Sequence, residues 1–180
     1  MNSLKLIGST LSSLPGILSR YRALKKQSFQ QPVVLKNRIG VALHPHSDYI
    51  EHELKLLNEL GNPPVLIRFC RHENQNIWDD TISLIHRLHA QDVEIMVALL
   101  QDRQAVLQPE LWSDFLTKII PAIAAYTQHI EITHAFNRIK WGVWNLAEWH
   151  QLVDPAFQLQ KQFPHIKLTG PACIDFEYMP

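Results

Sequence analysis

Hydrophobic and polar positions along the chain follow two spacings in turn. Runs in which apolar residues alternate or follow one another predict strands over residues 39–44, 65–70, 93–100, 130–135 and 166–170. Between these runs, apolar residues recur every three or four positions and predict four helices: residues 48–60, a segment carrying Trp78, Ile82, Ile85 and Leu88, residues 111–126 and residues 155–163. A strand and helix pair repeated in this way predicts a parallel sheet with helices packed outside it.

Local signals place the ends of the first, third and fourth of these helices. Asp48, with Glu51 three residues later, resembles a capping box at the start of the first helix, and Gly61 ends that helix in a left-handed conformation. Pro121 lies inside the third helix and is expected to kink or split it. Pro155 suits the first turn of the fourth helix.

The choice between an open doubly wound sheet and a barrel depends on the first turn and on Arg68. An open sheet usually carries a glycine-rich phosphate turn after its first strand, but residues 44–48 read His-Pro-His-Ser-Asp and the chain has six glycines. If Val65, Ile67 and Phe69 face the helices, Arg68 points to the other face, where a charge needs a polar interior. We therefore expect the N-terminal half of a TIM (β/α)8 barrel, with five parallel strands and four helices, as an incomplete barrel.

Residues 1–37 differ from the rest of the chain and predict a basic N-terminal arm, with a helix over residues 14–26. Seven of the 17 basic residues fall in residues 1–47, which contain no acidic residue; the other ten face all 17 acidic residues, a net charge of −7 for residues 48–180. The arm is either a solvated extension or a segment that contacts an anionic membrane surface or nucleic acid. Residues 38–180 are expected to form the partial barrel domain.

Composition narrows the class of protein. With 46% hydrophobic and 19% charged residues and a formal net charge of zero, the chain has a globular composition, and we expect no nucleic acid partner for the body of the protein. No apolar run is long enough to predict a membrane span or a signal peptide. Cys70 and Cys173 are expected to be free, buried structural thiols in a reducing compartment, so the expected location is cytoplasmic.

Residues 38–178 resemble the first half of the clan A glycoside hydrolases, which are (β/α)8-barrel glycosidases with two catalytic glutamates at the ends of strands four and seven. Residues 48–69 resemble the first helix, the helix-ending glycine and the second strand of these enzymes. Asn137, Lys140, Trp141 and Gly142 match their fourth-strand motif, Gly-Asn-Glu-Pro-Asn followed by Lys or Arg and Trp-Gly, whereas Thr133, His134, Ala135 and Phe136 do not.

The resemblance implies a site whose central acid is replaced. Arg68 falls where the family keeps an arginine that holds the nucleophilic carboxylate, and Ala135 occupies the position of the acid/base glutamate. A retaining mechanism needs two carboxyl groups about 5 Å apart, so catalytic residues are not assigned. Strand alternation would turn His134 away from the Ala135 side, unless the strand end bulges, and would leave Glu131 roughly 13 Å deeper. Asp175 and Glu177 are the remaining nearby acids.

Length adds a further expectation, because a barrel of this kind takes about 250 residues. The chain is expected to be a truncated or split glycosidase-like protein, inactive alone, or to pair with a second chain that completes the barrel.

Carbohydrate is the expected ligand. The expected substrate-binding residues are Arg68, Asn137, Trp141, His44 and Asp102, which all lie at or near predicted strand ends, where barrels place their sites. Residues 71–73 and 101–103 would share this edge. Of Trp141, Trp144 and Trp149, one is expected to stack on the sugar and the others to pack beneath the loop.

Two alternatives come from other classes of protein. A non-catalytic carbohydrate-interaction module is favoured by Ala135. A metal-dependent barrel hydrolase is suggested by His44 and His46, whose side chains share a face after the first strand, although residues 169–173 offer no histidine after the fifth. No cofactor and no bound metal are included in the leading interpretation.

Overall fold

The computed structural model describes residues 3–26, 39–43 and 48–173. The chain divides into two compact units, one containing the segment up to Lys36 and one containing the segment from Asn37. The first unit contains helix α1, Ser3–Lys26, which begins eleven residues before the predicted start and includes Pro15.

The second unit contains one sheet of five parallel strands in the order β1-β2-β3-β4-β5. The strands are β1 (Val41–Leu43), β2 (Val65–Cys70), β3 (Ile95–Leu100), β4 (His129–Ile132) and β5 (Lys167–Thr169). The helices are α2 (Ile50–Glu59), α3 (Gln75–His89), α4 (Arg103–Leu107), α5 (Pro109–Ile123) and α6 (Leu146–Gln160), with a short 3-10 helix at Ile139–Trp141.

The order of the strands decides the fold class. Each strand pairs with the next one in the chain, whereas a doubly wound sheet reverses direction from its first strand. The predicted α/β class is confirmed: the described residues form part of a TIM-like fold, and the sheet is not a closed barrel.

The core lies between one face of the sheet and the helices. Val65, Ile67 and Phe69 are buried in the same cluster as apolar residues of α2, α3, α5 and α6. Trp112 of α5 is fully buried, and its indole Nε1 donates a 2.7 Å hydrogen bond to the carbonyl of Leu152 in α6. These contacts confirm that alternate residues of β2, including Arg68, lie on the opposite face, which we call the inner face.

One row of residues crosses the inner face at a single level. The strand register pairs Arg68 with Ala98, Ala98 with Glu131, and Glu131 with Thr169. Neighbouring strands lie about 4.8 Å apart, so Arg68 and Glu131 start roughly 10 Å apart at their Cα atoms. We call this set of four residues the inner row.

Several predicted boundaries are wrong. Helix α2 begins at Ile50 with Tyr49, and not the predicted Asp48, at its N-cap position. Gly61 has a φ of 81°, as predicted. Helix α5 continues through Pro121 as one helix, and α4 was not predicted. Helix α6 begins nine residues before Pro155, which therefore lies in its interior.

Candidate functional site

Arg68 is a half-buried member of the inner row, in the part of β2 that pairs with Ala98 of β3. Its Nε atom is buried and has no hydrogen-bond partner among the described residues. The same holds for Thr169 Oγ1 at the far end of the row. Because an unsatisfied buried polar group costs about 1–3 kcal/mol, these two atoms are expected to be satisfied by a group from outside the described chain.

The end of β4 is bent by two residues with unusual backbone angles. Thr133 has a φ of 63° and Ala135 a φ of 45°, a region that non-glycine residues rarely adopt. The strand therefore ends at Ile132, and the prediction of a strand through Ala135 is wrong. Ala135 is fully buried, so the position that the family resemblance assigns to an acid faces no open space.

This bend brings Glu131 and His134 together. Regular alternation would place them on opposite faces, but His134 Nδ1 lies 3.0 Å from Glu131 Oε1, and both residues are buried. Alternation would turn His134 away unless the strand end is distorted, and the distortion after Ile132 turns it toward Glu131. Glu131 Oε1 also accepts a 3.1 Å hydrogen bond from the Ala172 amide, which ties the pair to the segment after β5.

Gln101 holds the bent backbone in place. Its Nε2 donates a 2.9 Å hydrogen bond to the His134 carbonyl, and its Oε1 accepts a 2.8 Å bond from the His134 amide. Gln101 is 1% exposed. The sequence interpretation assigned it only to the edge of the site, although a polar residue directly after the buried strand β3 is the kind of signal that indicates this role.

Trp141 covers part of the inner face. It packs against the cluster formed by Cys70, Ala98 and Leu100, and its ring lies edge-on to His134, with the two centroids 5.3 Å apart. Its indole Nε1 is buried and has no partner among the described residues. Arg68 and Trp141, both predicted from sequence, therefore lie in one region of the inner face, and each has a buried donor without a partner among the described residues.

The loop after Trp141 is fixed against α4. Gly142 has a φ of 90°, and a Cβ atom there would lie 2.4 Å from the Arg103 backbone nitrogen. Arg103 Nη1 donates to the Gly142 carbonyl at 2.8 Å and to Glu148 Oε2 at 2.7 Å. Its guanidinium also lies 3.7 Å from the Trp144 ring centroid.

The side chain of Glu148, in α6, accepts hydrogen bonds from Arg103 in α4 and from the Trp144 amide in the loop. Partial burial acts to raise the pKa of its carboxyl, but the hydrogen bonds from Arg103 and from the Trp144 amide, with the Arg103 charge, lower that pKa below its ordinary value of 4.5. The Glu148 amide in turn donates a 2.9 Å bond to the Asn145 side chain, which caps α6. The sequence contains a signal for the start of α6, because Asn145 followed three residues later by Glu148 is a capping-box pattern.

Asp102 lies just after β3, and both of its carboxylate oxygens bind other groups of the protein. Its Oδ1 accepts a 2.8 Å bond from the Ala105 amide and so caps α4, and its Oδ2 forms an ion pair with Arg71. Arg71 also donates to Gln104. The pair joins the ends of β2 and β3, so Asp102 positions this edge of the sheet through its two oxygen atoms.

The other predicted binding residues divide between the described and undescribed parts. Asn137 is half-buried in the turn in which the Arg138 amide donates to the Ala135 carbonyl. Trp149 packs on Phe136, and its indole Nε1 donates a 3.0 Å hydrogen bond to Thr133 Oγ1. His44 and His46, and also Asp175 and Glu177, lie outside the described residues.

The two cysteines differ in environment. Cys70 is buried on the inner face, where desolvation first, and then the charge and hydrogen bonding of Glu73, raise the pKa of its thiol to about 12, against a smaller opposing effect of Arg68. Cys173 is exposed, so the expectation that both thiols are buried is wrong for this one.

A separate cavity of about 360 Å³ lies where β3 and β4 begin, at the end of the sheet opposite to Trp141 and Asp102. Its lining includes His89, Tyr126, His129 and His165, near the starts of β3 and β4. In barrels the residues at the starts of the strands support stability, and the residues at the ends of the strands carry the chemistry. No cluster of three or more metal-ligating side chains occurs among the described residues.

Comparison with known proteins adds no relative: no family model, no curated protein and no solved structure matches the chain. The fold and the geometry of the inner face are therefore the basis for a functional conclusion. No helix in the described part of the chain is long and apolar enough to cross a membrane.

Proposed function

We propose that this protein is a glycosidase-like, carbohydrate-directed half barrel that binds a sugar on its inner face without cleaving it. The observation that carries the proposal is the pair of buried, unpartnered donors at Arg68 Nε and Trp141 Nε1. Sugar hydroxyls both donate and accept hydrogen bonds, and an indole ring packs well against the C–H face of a sugar. Such a ligand would satisfy both donors.

The residue at the acid position supports the non-catalytic part of the proposal. Ala135 supplies no carboxyl group and is fully buried. Glu131, the nearest acid along the chain, is buried against His134 and the Ala172 amide and is not placed to protonate a leaving oxygen in open solvent. A retaining glycosidase uses two carboxyl groups about 5 Å apart, and Ala135 supplies neither of them.

Binding is tested by titrating the 180-residue chain with a panel of mono- and disaccharides in a calorimeter. Trp141→Phe retains an apolar ring but removes the donor and part of the stacking surface, so we expect affinity to fall about 10-fold, which is about 1.4 kcal/mol. Trp144→Phe is the matched control, because Trp144 is exposed beneath Arg103. Equal losses in the two variants, or no binding by any sugar, would contradict the proposal.

Arg68→Met separates a binding role from a structural one. If the guanidinium is kept for a ligand, its removal weakens sugar binding but does not lower the free energy of unfolding, because Arg68 Nε leaves no protein partner unpaired. Arg87→Met is the control; Arg87 pairs with Glu51 on the helix side. Loss of stability in Arg68→Met with unchanged sugar affinity would assign Arg68 to the fold alone.

Catalysis is tested separately with a panel of aryl glycosides. We expect no release of the aryl group above the buffer rate by this chain. Turnover that survives repurification would show that another pair of carboxyl groups acts, and would contradict the non-catalytic part of the proposal while leaving sugar binding in place.

A further inference from the structure

Helix α1 presents an apolar surface to solvent along most of its length. Seven large apolar side chains of this helix are between 46% and 64% exposed. They are Ile7, Leu11, Leu14, Ile17, Leu18, Tyr21 and Leu24. A monomeric protein seldom exposes a contiguous apolar patch of this kind without a partner for it.

These residues lie on one side of the helix. Residues 7, 11, 14, 18 and 21 are spaced by four and three positions in turn, and at 100° per residue all seven span an arc of about 140°. The opposite side carries small or polar residues, including Ser12, Gly16, Ser19 and Ala23. The helix is therefore amphipathic, with a polar side whose one charged residue over the first four turns is Lys5.

The charges of the helix are all positive: four of the five cations lie toward its C-terminal end, and the fifth is Lys5 in its first turn. Arg20, Arg22, Lys25 and Lys26 are exposed, and residues 1–47 contain no acidic residue. Lys25 lies within the apolar arc, where a long side chain can bury its methylene groups and keep its ammonium group at an interface. A partner of this helix must therefore combine an apolar interior with negative charge.

We propose that α1 lies in the surface of lipid bilayers that contain anionic lipids, with its apolar side in the acyl boundary and the four cations near its C-terminal end against the headgroups. A helix that is amphipathic but too polar to span lies in the plane of the membrane. A second copy of the helix is a poorer partner, because residues 1–47 contain no acidic residue to pair with its cations and parallel pairing would bring the cations together. Nucleic acid would satisfy the cations but leave the apolar side exposed.

The test is co-sedimentation of the full chain with vesicles of phosphatidylcholine alone or mixed with phosphatidylserine. We expect binding to the mixed vesicles that weakens as salt is raised, and little binding to phosphatidylcholine alone. Changing Arg20, Arg22, Lys25 and Lys26 together to Gln should weaken partitioning into mixed vesicles about 100-fold or more at low salt.

A second pair of variants tests the apolar side. Leu11→Gln with Leu18→Gln should abolish binding, whereas the matched Ser19→Gln with Ala23→Gln, on the opposite side, should leave it unchanged. Circular dichroism in the presence of vesicles confirms that each variant still forms helix. The proposal is overturned if the chain ignores anionic vesicles, if the leucine variant binds as the original does, or if the chain instead dimerises through these leucines or binds only nucleic acid.

Discussion

At the residue scale, the candidate site depends on a few positions whose backbone or burial is unusual. Arg68 could be predicted, because the alternation of β2 forces it onto the inner face. The Glu131–His134 pair could not, because it requires Thr133 and Ala135 to leave the extended region. Nothing in the residue types Thr and Ala indicates a positive φ, so the alternating pattern predicts a strand that extends three residues beyond its end at Ile132.

Gly142→Ala tests whether the loop after Trp141 is fixed by close backbone contact. A Cβ atom at this position would meet the Arg103 backbone, and the φ of 90° is strained for alanine, so we expect a loss of about 2–4 kcal/mol in the free energy of unfolding. Gly61→Ala is the control, since Gly61 has a similar φ but nothing within 4 Å, and should lose about 1 kcal/mol. Equal losses measured by denaturant unfolding would contradict the close contact.

The two thiols should react at very different rates. Cys173 is exposed, whereas burial and Glu73 raise the pKa of Cys70 to about 12, so at pH 8 a disulfide reagent should label one thiol per chain rapidly. Cys173→Ser should remove this fast phase, and a denaturant should expose the second thiol. Fast labelling of Cys70 in the folded Cys173→Ser variant would show that the inner face opens readily.

At the element scale, the sequence predicted the barrel helices better than their ends. Apolar stripes predict α2, α3 and α5. The predicted start of α6 is Pro155, because proline is commoner in the first turn of a helix than in its interior. The overlooked start is Asn145, whose side chain caps the helix. Helix α4 was missed because five residues are too few for a periodic apolar pattern.

Gln101→Leu tests whether β3 holds the end of β4. The change removes both partners of the His134 backbone and leaves two buried polar groups unpaired, so we expect a loss of about 2–4 kcal/mol in the free energy of unfolding. Gln104→Leu is the control, since Gln104 only accepts an exposed bond from Arg71 and should lose less than about 1 kcal/mol. A small loss in Gln101→Leu would mean that the backbone of His134 finds other partners.

The Glu148 contacts predict a pH dependence. The folded protein lowers the pKa of this carboxyl, so the carboxylate contributes stability above its ordinary value of 4.5 and this contribution is lost as the pH falls through the lowered value. The difference in unfolding free energy between the original chain and Glu148→Gln should therefore be largest near pH 7 and shrink below pH 4.5. A difference that grows with acid would contradict the lowered pKa.

At the scale of the whole molecule, the sequential strand order sets a gradient of protection. Strand β3 pairs with β2 over six residues and with β4 on its other side, whereas β1 and β5 each form three-residue ladders with one neighbour. Amide hydrogen exchange followed by mass spectrometry should find β3 slowest and β1 and β5 fastest.

The same measurement addresses the expected second chain. If another chain pairs with the edge of β5, protection of residues 167–169 should rise with protein concentration or on addition of that partner, while β3 stays unchanged. Protection of β5 equal to that of β3 in dilute protein would mean that this edge is already covered within the chain.

The small side chain in the middle of the inner row has an evolutionary consequence. Ala98 offers one methyl group between Arg68 and Glu131, and the indole of Trp141 packs onto the cluster that contains it. The side chains of Ala98 and Trp141 therefore fill one space between them, and a larger side chain at one position leaves less room at the other. Homologous sequences that carry a bulkier residue in place of Ala98 should carry a smaller ring in place of Trp141, so the two alignment columns should covary.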